Sequence, residues 1–474
     1  MIGGTYKSLW KVARFSSART IRCFGQTITP NEYRQRRISL VSHLRQSVLK
    51  DWKKSVLIVL RSAIRRFYAP DVPYPFRQCS YFRYLTGLNE PDCVLIILFE
   101  KTQNPVSILY FEGRTERQEL WEGPGLNASG IINTAGVDEV KSHNQLIQDL
   151  QILTDKACIV SYDNTTLSTI NDDIVQVLAG CDTFLPLREH IDTLRWIKSP
   201  AEQELMRRTC KIGAESMNAV IARSRGVANE NEIVGRLELE VRRRGAASLA
   251  YPPVVAAGNR ANIIHYLDAN KALDQGDAVL VDAGCDYEGY SSDITRVFPI
   301  CGRFNAPQRA MYDALNDVQA RLFEYLRRTE HLRLNEIYVT MLKYLAKNIS
   351  EVGMFARSLD ANELLHETDK ICPHHVSHYL GMDVHDTASV ARNIILQPGV
   401  TFTVEPGRNF FEYFFVFFLG IYIRDDNEKS RKEFRGIGMR IEDDILLGKD
   451  GTVEVLTRDA IREPENIEQL MTAE

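Results

Sequence analysis

Apolar residues recur at every fourth position near the start of the chain: Leu40, Leu44, Val48 and Trp52. This spacing predicts a charged helix over residues 32–54 with one buried face. Three short apolar runs follow, and they have the composition of strands: SVLIVL, DCVLIILFE and VSILYF. Because helical stretches separate these runs, the pattern predicts an α/β domain over residues 32–191.

Helix start signals mark the middle of the chain. Ser199, Pro200 and Glu202 supply an N-cap hydroxyl, a proline at the first helical position and a glutamate at the third. A similar start at Asn229 opens another helix. We place the boundary between two domains just before the first of these helices, so that the second domain covers residues 192–474.

Beyond Tyr251, apolar runs separated by turn residues predict strands and hairpins, interrupted by helices at roughly 306–327 and 335–350. In DAVLVDAGCDYEGYSSDITRVFPI, two apolar strands flank a turn, which predicts a β-hairpin. Such a hairpin can bring Asp282 and Asp293 to one end of the sheet. A carboxylate in an apolar strand is costly to bury unless it is paired or binds a cation. The alternative is that both face water.

Further candidate ligands follow. CPHHVSHYLGMDVHD holds four of the ten histidines, without the HExxH spacing of zinc proteases, and we expect a loop there that leads into a strand. Glu405 in TFTVEPG and Glu442 in GIGMRIEDD each end an apolar run. Four carboxylates and one imidazole favour Mn²⁺ or a similar hard ion over a thiolate-type zinc site. Two divalent cations would balance the converging charges, hold a bridging hydroxide and polarise a carbonyl.

Charge sets the N-terminus apart. No acidic residue precedes Glu32, whereas five cations do: Lys7, Lys11, Arg14, Arg19 and Arg22. This composition predicts a mitochondrial transit peptide over residues 1–31, with a disordered basic tail as the alternative. Its removal changes the formal charge from −4 to about −9, because five cations and no anion leave. An acidic protein is a poor candidate for nucleic-acid binding.

Two further classes are excluded by pattern. No run reaches the roughly 18 apolar residues that a membrane-spanning helix requires. The nine cysteines are scattered without a CxxC pair, which argues against a disulfide framework or a zinc knuckle.

The order and context of the five candidate ligands resemble the pita-bread metallopeptidase family, which includes methionine aminopeptidases, prolidases and aminopeptidase P. The resemblance covers about residues 29–467. DVPYPFRQCSYFRYLTG and RTERQELWEGPG resemble the N-terminal domain of aminopeptidase P. The resemblance therefore implies an aminopeptidase P-type α/β domain followed by an α+β pita-bread catalytic domain. With the predicted transit peptide, the chain is most similar to mitochondrial aminopeptidase P-like enzymes.

The resemblance also implies roles for the ligands, with two divalent metal ions, most simply Mn²⁺, as cofactors. Asp282 would bind one metal, and Asp293 with Glu442 would bridge both. His378 and Glu405 would bind the second metal, and Glu405 would manage the proton of the attacking water.

Other residues acquire roles by the same resemblance. His265 would steady the oxyanion of the tetrahedral intermediate, and His374 with His385 would contact the peptide beyond the scissile bond. Arg440 would orient a carboxylate ligand. Each histidine taken singly is compatible with a structural role, but the set favours catalysis.

The implied function is a metal-dependent aminopeptidase acting on the N-termini of peptides or imported mitochondrial proteins, at Xaa-Pro bonds or by removing a single residue. A homodimer is expected. Two alternatives remain, a prolidase-type dipeptidase and a non-catalytic peptide-binding protein. Because relatives that only bind peptides lose several of the five ligands and this chain keeps all five, catalysis is favoured.

The Phe-rich stretch VEPGRNFFEYFFVFFLGIYIRD departs from the family pattern. Deleting residues 408–420 restores VEPGIYIRDD, so these thirteen residues form an insertion directly behind Glu405. If the insertion is genuine, two interpretations are a hydrophobic lid over the cleft and a contact with a membrane surface. We favour a third interpretation, in which the insertion is a translated intron. The codons for FFLG can form a pyrimidine tract that ends in AG, and the codons for GR can supply a GT splice donor.

Overall fold

The computed structural model describes residues 28–47, 55–99, 104–162, 173–179, 184–372, 377–404 and 420–472. The predicted transit peptide up to residue 27, His374, Glu405 and residues 408–419 lie outside these ranges.

The first part of the chain alternates strands and helices. Its helices are α1 (Pro30–Ser47), α2 (Ser80–Thr86), α3 (Glu116–Glu122), α4 (Ala128–Ala135), α5 (Leu146–Lys156), α6 (Asp173–Ala179) and α7 (Arg188–Arg195). Its strands are β1 (Ser55–Arg61), β2 (Phe67–Ala69), β3 (Val72–Pro73), β4 (Val94–Phe99), β5 (Val106–Tyr110), β6 (Glu139–Lys141), β7 (Ala157–Tyr162) and β8 (Phe184–Pro186). The three strands predicted from apolar runs are β1, β4 and β5, and the predicted first helix is α1.

Six of these strands form one mixed sheet in the order β6-β5-β4-β1-β7-β8, and β2 pairs with β3. Strand β1 is antiparallel to β4 and parallel to β7. Its side chains alternate between two apolar layers, with Val56 and Ile58 in one and Leu57 and Val59 in the other. Both faces of the sheet are therefore covered, which explains why β1 reads as a continuous apolar run.

The second part of the chain is of α+β type. Its helices are α8 (Pro200–Ala222), α9 (Glu230–Arg243), α10 (Ala306–Arg328), α11 (Leu334–Val352), α12 (Ala361–Ile371) and α13 (Pro464–Thr472). Its strands are β9 (Ser248–Leu249), β10 (Val254–Ala257), β11 (Ala278–Ala283), β12 (Cys285–Tyr287), β13 (Tyr290–Ser291), β14 (Ile294–Pro299), β15 (Thr401–Val404), β16 (Ile421–Ile423), β17 (Ile437–Met439), β18 (Asp443–Leu447) and β19 (Val453–Val455). They form small antiparallel sheets, including β10-β11-β14 and β15-β18-β19.

The helix start signals are confirmed. Ser199 caps α8 with its side chain, and the Glu202 carboxylate accepts a hydrogen bond from the Ser199 backbone N–H, which completes a capping box. Asn229 caps α9 by accepting from the backbone of Asn231. The predicted helices near 306–327 and 335–350 are α10 and α11, whereas α12 and α13 are additional helices that the apolar pattern did not predict.

The two parts of the chain share an apolar core. Leu40 and Leu44 of α1 lie in the same buried cluster as Leu205 and Met206 of α8, and as Leu380 near the candidate ligands. All five side chains are at most 3% exposed. The apolar core is therefore continuous between the two parts of the chain.

Two strand ladders bracket the Phe-rich insertion. Val404 of β15 pairs with Asp443 of β18, and Ile421 of β16 pairs with Met439 of β17. The path from Met439 to Asp443 is four residues long, whereas the path from Val404 to Ile421 is seventeen. The difference is thirteen residues, the length of the insertion. Without it, one antiparallel register would run through both ladders.

Among the described residues, no helix combines the length and apolar character needed to cross a membrane. The structure describes six cysteine side chains, and none of these six forms a disulfide bond: Cys79, Cys93, Cys210, Cys285, Cys301 and Cys372.

Candidate metal centre

The predicted hairpin brings Asp282 and Asp293 together. Strands β11 and β14 pair antiparallel with Asp282 opposite Thr295, and Asp293 directly precedes β14. Both aspartates are fully buried. The hydroxyl of Tyr251 lies 2.7 Å from Asp282 Oδ1 and also contacts Asp293 Oδ1. One phenol therefore joins the two carboxylates, and burial followed by their negative charge raises the pKa of Tyr251 well above its usual value.

His378 and Glu442 reach the same place from the second half of the domain. The backbone of Thr403 in β15 donates to the His378 carbonyl at 3.0 Å, so the segment around His378 lies beside that strand. The strand expected soon after this loop begins only at β15, because residues 381–387 close a turn instead. Glu442 directly precedes β18, and its backbone N–H donates to the Thr295 carbonyl at 3.2 Å.

Asp293, His378 and Glu442 form a compact, buried group. Each of them offers a ligand atom, and these atoms all lie within 4.8 Å of one another. Asp293 Oδ2 is 3.4 Å from His378 Nε2. The structure thus gathers three of the five predicted ligands, and Tyr251 ties the fourth, Asp282, to Asp293. Glu405 lies outside the described residues, although it directly follows Val404, which pairs with the residue after Glu442.

The donor set fits a cation. His378 Nδ1 is 3.1 Å from the Tyr379 carbonyl oxygen. Because a carbonyl oxygen only accepts hydrogen bonds, Nδ1 carries the proton in the neutral ring and Nε2 presents its lone pair towards Asp293. Two lone pairs facing each other in a dry site repel, and a cation between them removes that repulsion. A backbone carbonyl behind the imidazole is also the usual support for a metal-binding histidine.

Arg440 is a fully buried cation in contact with one of these carboxylates. Its Nη2 donates to Asp282, its Nε donates to Thr295 Oγ1 at 2.8 Å, and its Nη1 donates to the Tyr422 hydroxyl at 3.1 Å. Thr295 in turn donates to Glu442 Oε2 at 2.7 Å. The guanidinium therefore contacts one predicted ligand directly and another through a hydroxyl.

His385 contacts the candidate metal-binding group, and His265 lies near enough to His385 to affect its pKa. The rings of His385 and His378 meet edge to face, with centroids 4.4 Å apart. Burial, followed by the charges of His378, Arg392 and His265, lowers the pKa of His385 well below its usual value. His265 is exposed, and partial desolvation followed by the charge of Arg440 lowers its pKa. Burial and nearby positive charge therefore both favour the neutral form of these two rings.

Three supporting residues were missed by sequence reasoning: Tyr251, Thr295 and Asp444. Asp444 Oδ2 accepts from the Asp293 backbone at 3.0 Å and from Cys210 Sγ at 3.2 Å. Burial followed by the charge of Asp293 raises the pKa of Asp444 well above its usual value. Thr295 and Asp444 each lie two positions after a predicted ligand, so strand alternation could have found them. No sequence spacing indicates Tyr251.

Comparisons with known proteins decide the family. The model of metallopeptidase family M24 matches residues 204–449, and that of the aminopeptidase P N-terminal domain matches residues 33–160. The chain belongs to metallopeptidase family M24. This confirms the resemblance drawn from the ligands, and membership of this family implies a divalent metal as cofactor.

Individual relatives agree with this assignment. Xaa-Pro aminopeptidase 3 from Homo sapiens is 34% identical over 449 residues, which cover 93% of this chain and 85% of the relative. Intermediate cleaving peptidase 55, mitochondrial, from Arabidopsis thaliana is 30% identical over an alignment that covers 96% of this chain and 89% of the relative. The structure of aminopeptidase P from E. coli with the inhibitor Pro-Leu superposes with a TM-score of 0.81 at 30% identity, over 94% of this chain and 98% of that one. The two-part M24 architecture expected from the sequence is confirmed.

Replacing Arg440 with Lys is expected to weaken metal binding by about 10–100-fold, the usual cost of losing an outer partner of a ligand. A lysine keeps the charge but cannot reach Asp282, Thr295 and Tyr422 together. Titration calorimetry with Mn²⁺ measures the effect. Arg435→Lys is the matched control, because the Arg435 guanidinium donates only to the carbonyls of residues 428 and 430 among the contacts described. Equal affinity in both variants would contradict the role of Arg440.

Proposed function

We propose that this metal-dependent aminopeptidase of the M24 family removes single residues from the N-termini of peptides and imported proteins in mitochondria, with Xaa-Pro bonds among its substrates. The main support is the buried group of Asp293, His378 and Glu442, which the hairpin and the second sheet bring within 4.8 Å. Relatives named Xaa-Pro aminopeptidase 3 and intermediate cleaving peptidase 55 support the two kinds of substrate. The acid-free N-terminus and the relative named as mitochondrial support the location.

We propose that two Mn²⁺ ions are held by Asp282, Asp293, His378, Glu405 and Glu442. Four carboxylates and one imidazole carry enough negative charge for two divalent cations and suit a hard ion. When bound, the ions supply Lewis-acid activation of water and of the scissile carbonyl.

The protein residues then manage protons and position. Glu405 accepts a proton as the water oxygen bonds to the carbonyl carbon, and it returns that proton to the amine nitrogen as the C–N bond breaks. His265 stabilises the developing oxyanion, while His374 and His385 hold the peptide on the leaving side. Arg440 keeps Asp282 in place through the contact described above. Each role rests on the family resemblance and on the neighbourhood of the described residues.

A panel of synthetic peptides tests the function. The metal-loaded protein is expected to release the first residue from Xaa-Pro tripeptides and from longer peptides, and chelation of the metal should abolish release. Tripeptides without proline show whether single-residue cleavage extends beyond Xaa-Pro bonds. Cleavage of Xaa-Pro dipeptides alone would instead identify a prolidase-type dipeptidase. Peptide binding without hydrolysis, at full metal occupancy, would identify a binding protein.

Two finer points accompany the proposal. Ile28 is only 4% exposed, so the folded body begins before the predicted end of the transit peptide and we place its cleavage upstream of this residue. We also propose a homodimer, as the family resemblance implies, which sedimentation analysis of the mature protein would test.

A further inference from the structure

The turn formed by residues 381–387, here called the histidine turn, carries His385 between two aspartates. Asp383 and Asp386 flank the histidine, and the backbone N–H of Asp386 donates to the Tyr379 carbonyl at 2.9 Å, which closes the turn. Asp386 is only 3% exposed. Since a buried carboxylate is costly unless it is paired, its partners decide how the turn is held.

Those partners come from the end of α7 and the segment that leads to α8. Arg195 Nη2 donates to Asp386 Oδ1 and, at 2.8 Å, to Asp383 Oδ2. Lys198 Nζ donates to Asp386 Oδ2 at 2.9 Å. Arg195 and Lys198 are each 2% exposed. Two buried cations therefore form ion pairs with the two carboxylates of the histidine turn.

Residues of the first domain also donate hydrogen bonds to the histidine turn. Ser80 Oγ at the start of α2 donates to Asp383 Oδ1 at 2.6 Å, and Arg77 Nη2 donates to the Met382 carbonyl at 2.9 Å. The Arg195 guanidinium also lies 4.7 Å from the centre of the Tyr81 ring. The histidine turn is thus held from the domain that contributes none of the predicted metal ligands.

The space around the turn leaves it little freedom. A Cβ placed on Gly381 would lie 2.4 Å from Asp386 Oδ2. Thr387 has a φ of +46°, a strained value for a β-branched residue that persists only where the surroundings enforce it. The ring of His385, in the middle of this turn, meets the ring of His378 with an interplanar angle of 66°.

We propose that Arg195, Lys198 and Ser80 are positioning residues, which fix the His385 ring against His378 by holding Asp383 and Asp386. This rests on the proposed function, in which His385 contacts the peptide. A buried ion-pair network contributes little net stability compared with apolar residues of the same size, so folding alone does not require one here. A rigid support behind a substrate-binding side chain, in contrast, improves its placement directly.

The experiment compares variants that loosen the turn in the full-length protein loaded with Mn²⁺. Ser80→Ala and Asp383→Asn are each expected to lower kcat/KM for an Xaa-Pro tripeptide by about tenfold, the lower end of what such supporting contacts usually contribute. Metal content by elemental analysis and the melting temperature should match those of Arg207→Met. That control removes an ion pair of α8, between Arg207 and Glu454, which lies outside the network. Arg195→Lys should retain more activity than Arg195→Met, because lysine keeps the positive charge and one donor nitrogen.

The second measurement does not depend on turnover. The ring resonances of His385, recorded with the diamagnetic ion Zn²⁺ in place of Mn²⁺ and assigned by their loss in His385→Gln, should shift in Ser80→Ala and stay unchanged in Arg207→Met. Unchanged kcat, KM and ring resonances in Ser80→Ala and Asp383→Asn would overturn the proposal, as would a loss of activity that follows loss of metal or of folded protein. If the unaltered protein cleaves no peptide, the proposed function fails, and the ring resonances still decide whether these residues position His385.

Discussion

Replacing Asp293 with Asn is expected to abolish both metal uptake and hydrolysis. Asp293 Oδ2 is 3.4 Å from His378 Nε2 within the compact group, and an amide there offers a neutral oxygen or an N–H in place of a charged ligand. The metals are expected to contribute several kcal/mol to transition-state stabilisation, which corresponds to a loss of about a thousandfold or more in kcat/KM. Elemental analysis and tripeptide hydrolysis measure the two effects.

The matched control for this variant is Asp277→Asn. Asp277 precedes the same strand, β11, but at the end away from Asp282, where it accepts from the backbone of Asp274 in a turn. It should keep its metal and its activity. An Asp293→Asn protein that binds metal normally and cleaves peptides would show that the metal site is elsewhere.

Deleting residues 408–420 is expected to give a protein that folds better and is more active than the full chain. The deletion makes the paths from Val404 to Ile421 and from Met439 to Asp443 equal, so one register continues through both ladders. Glu405 then lies in a continuous strand beside the one that leads to Glu442. Misplacing a catalytic group by 1 Å costs on the order of a hundredfold, and a gain of up to that size in kcat/KM is expected.

A deletion of residues 409–420 provides the control. It removes the same aromatic residues but leaves one extra residue, which must form a bulge in the ladder. It should improve solubility as much as the longer deletion, with a smaller gain in activity. If the thirteen-residue deletion instead lowers activity or melting temperature, the segment belongs to the working enzyme. Sequencing the transcript across Glu405 tests translated intron separately, since a mature message lacking 39 nucleotides is expected.

Local pattern predicted the local structure of this chain well. The caps of α8 and α9 and the hairpin of β11 and β14 depend on residues close in sequence. Their residue types and spacing were therefore enough to predict them. The compact group of Asp293, His378 and Glu442 could not be predicted from local pattern alone. Its members are distant in the chain, and it was the family resemblance that joined Asp293, His378 and Glu442.

The supports of the site were less predictable. The contact between Arg195 and Asp386 joins residues 191 positions apart, and neither sequence context differs from that of a surface charge. Tyr251 lies 42 positions from Asp293, outside any motif. The apolar pattern also gave no sign of α12, since its buried residues include Glu367 and Thr368 alongside Ile371. Long-range polar pairing has no sequence period, so only the fold reveals it.

The apolar cluster common to α1 and α8 bears on what counts as a unit in this protein. The cluster that holds Leu40 and Leu44 also holds Leu205 and Met206, so a cut at the boundary near residue 192 would expose part of it to water. Large exposed apolar surfaces of this kind cost solubility and cooperativity. The two parts of the chain are therefore expected to unfold as one cooperative unit.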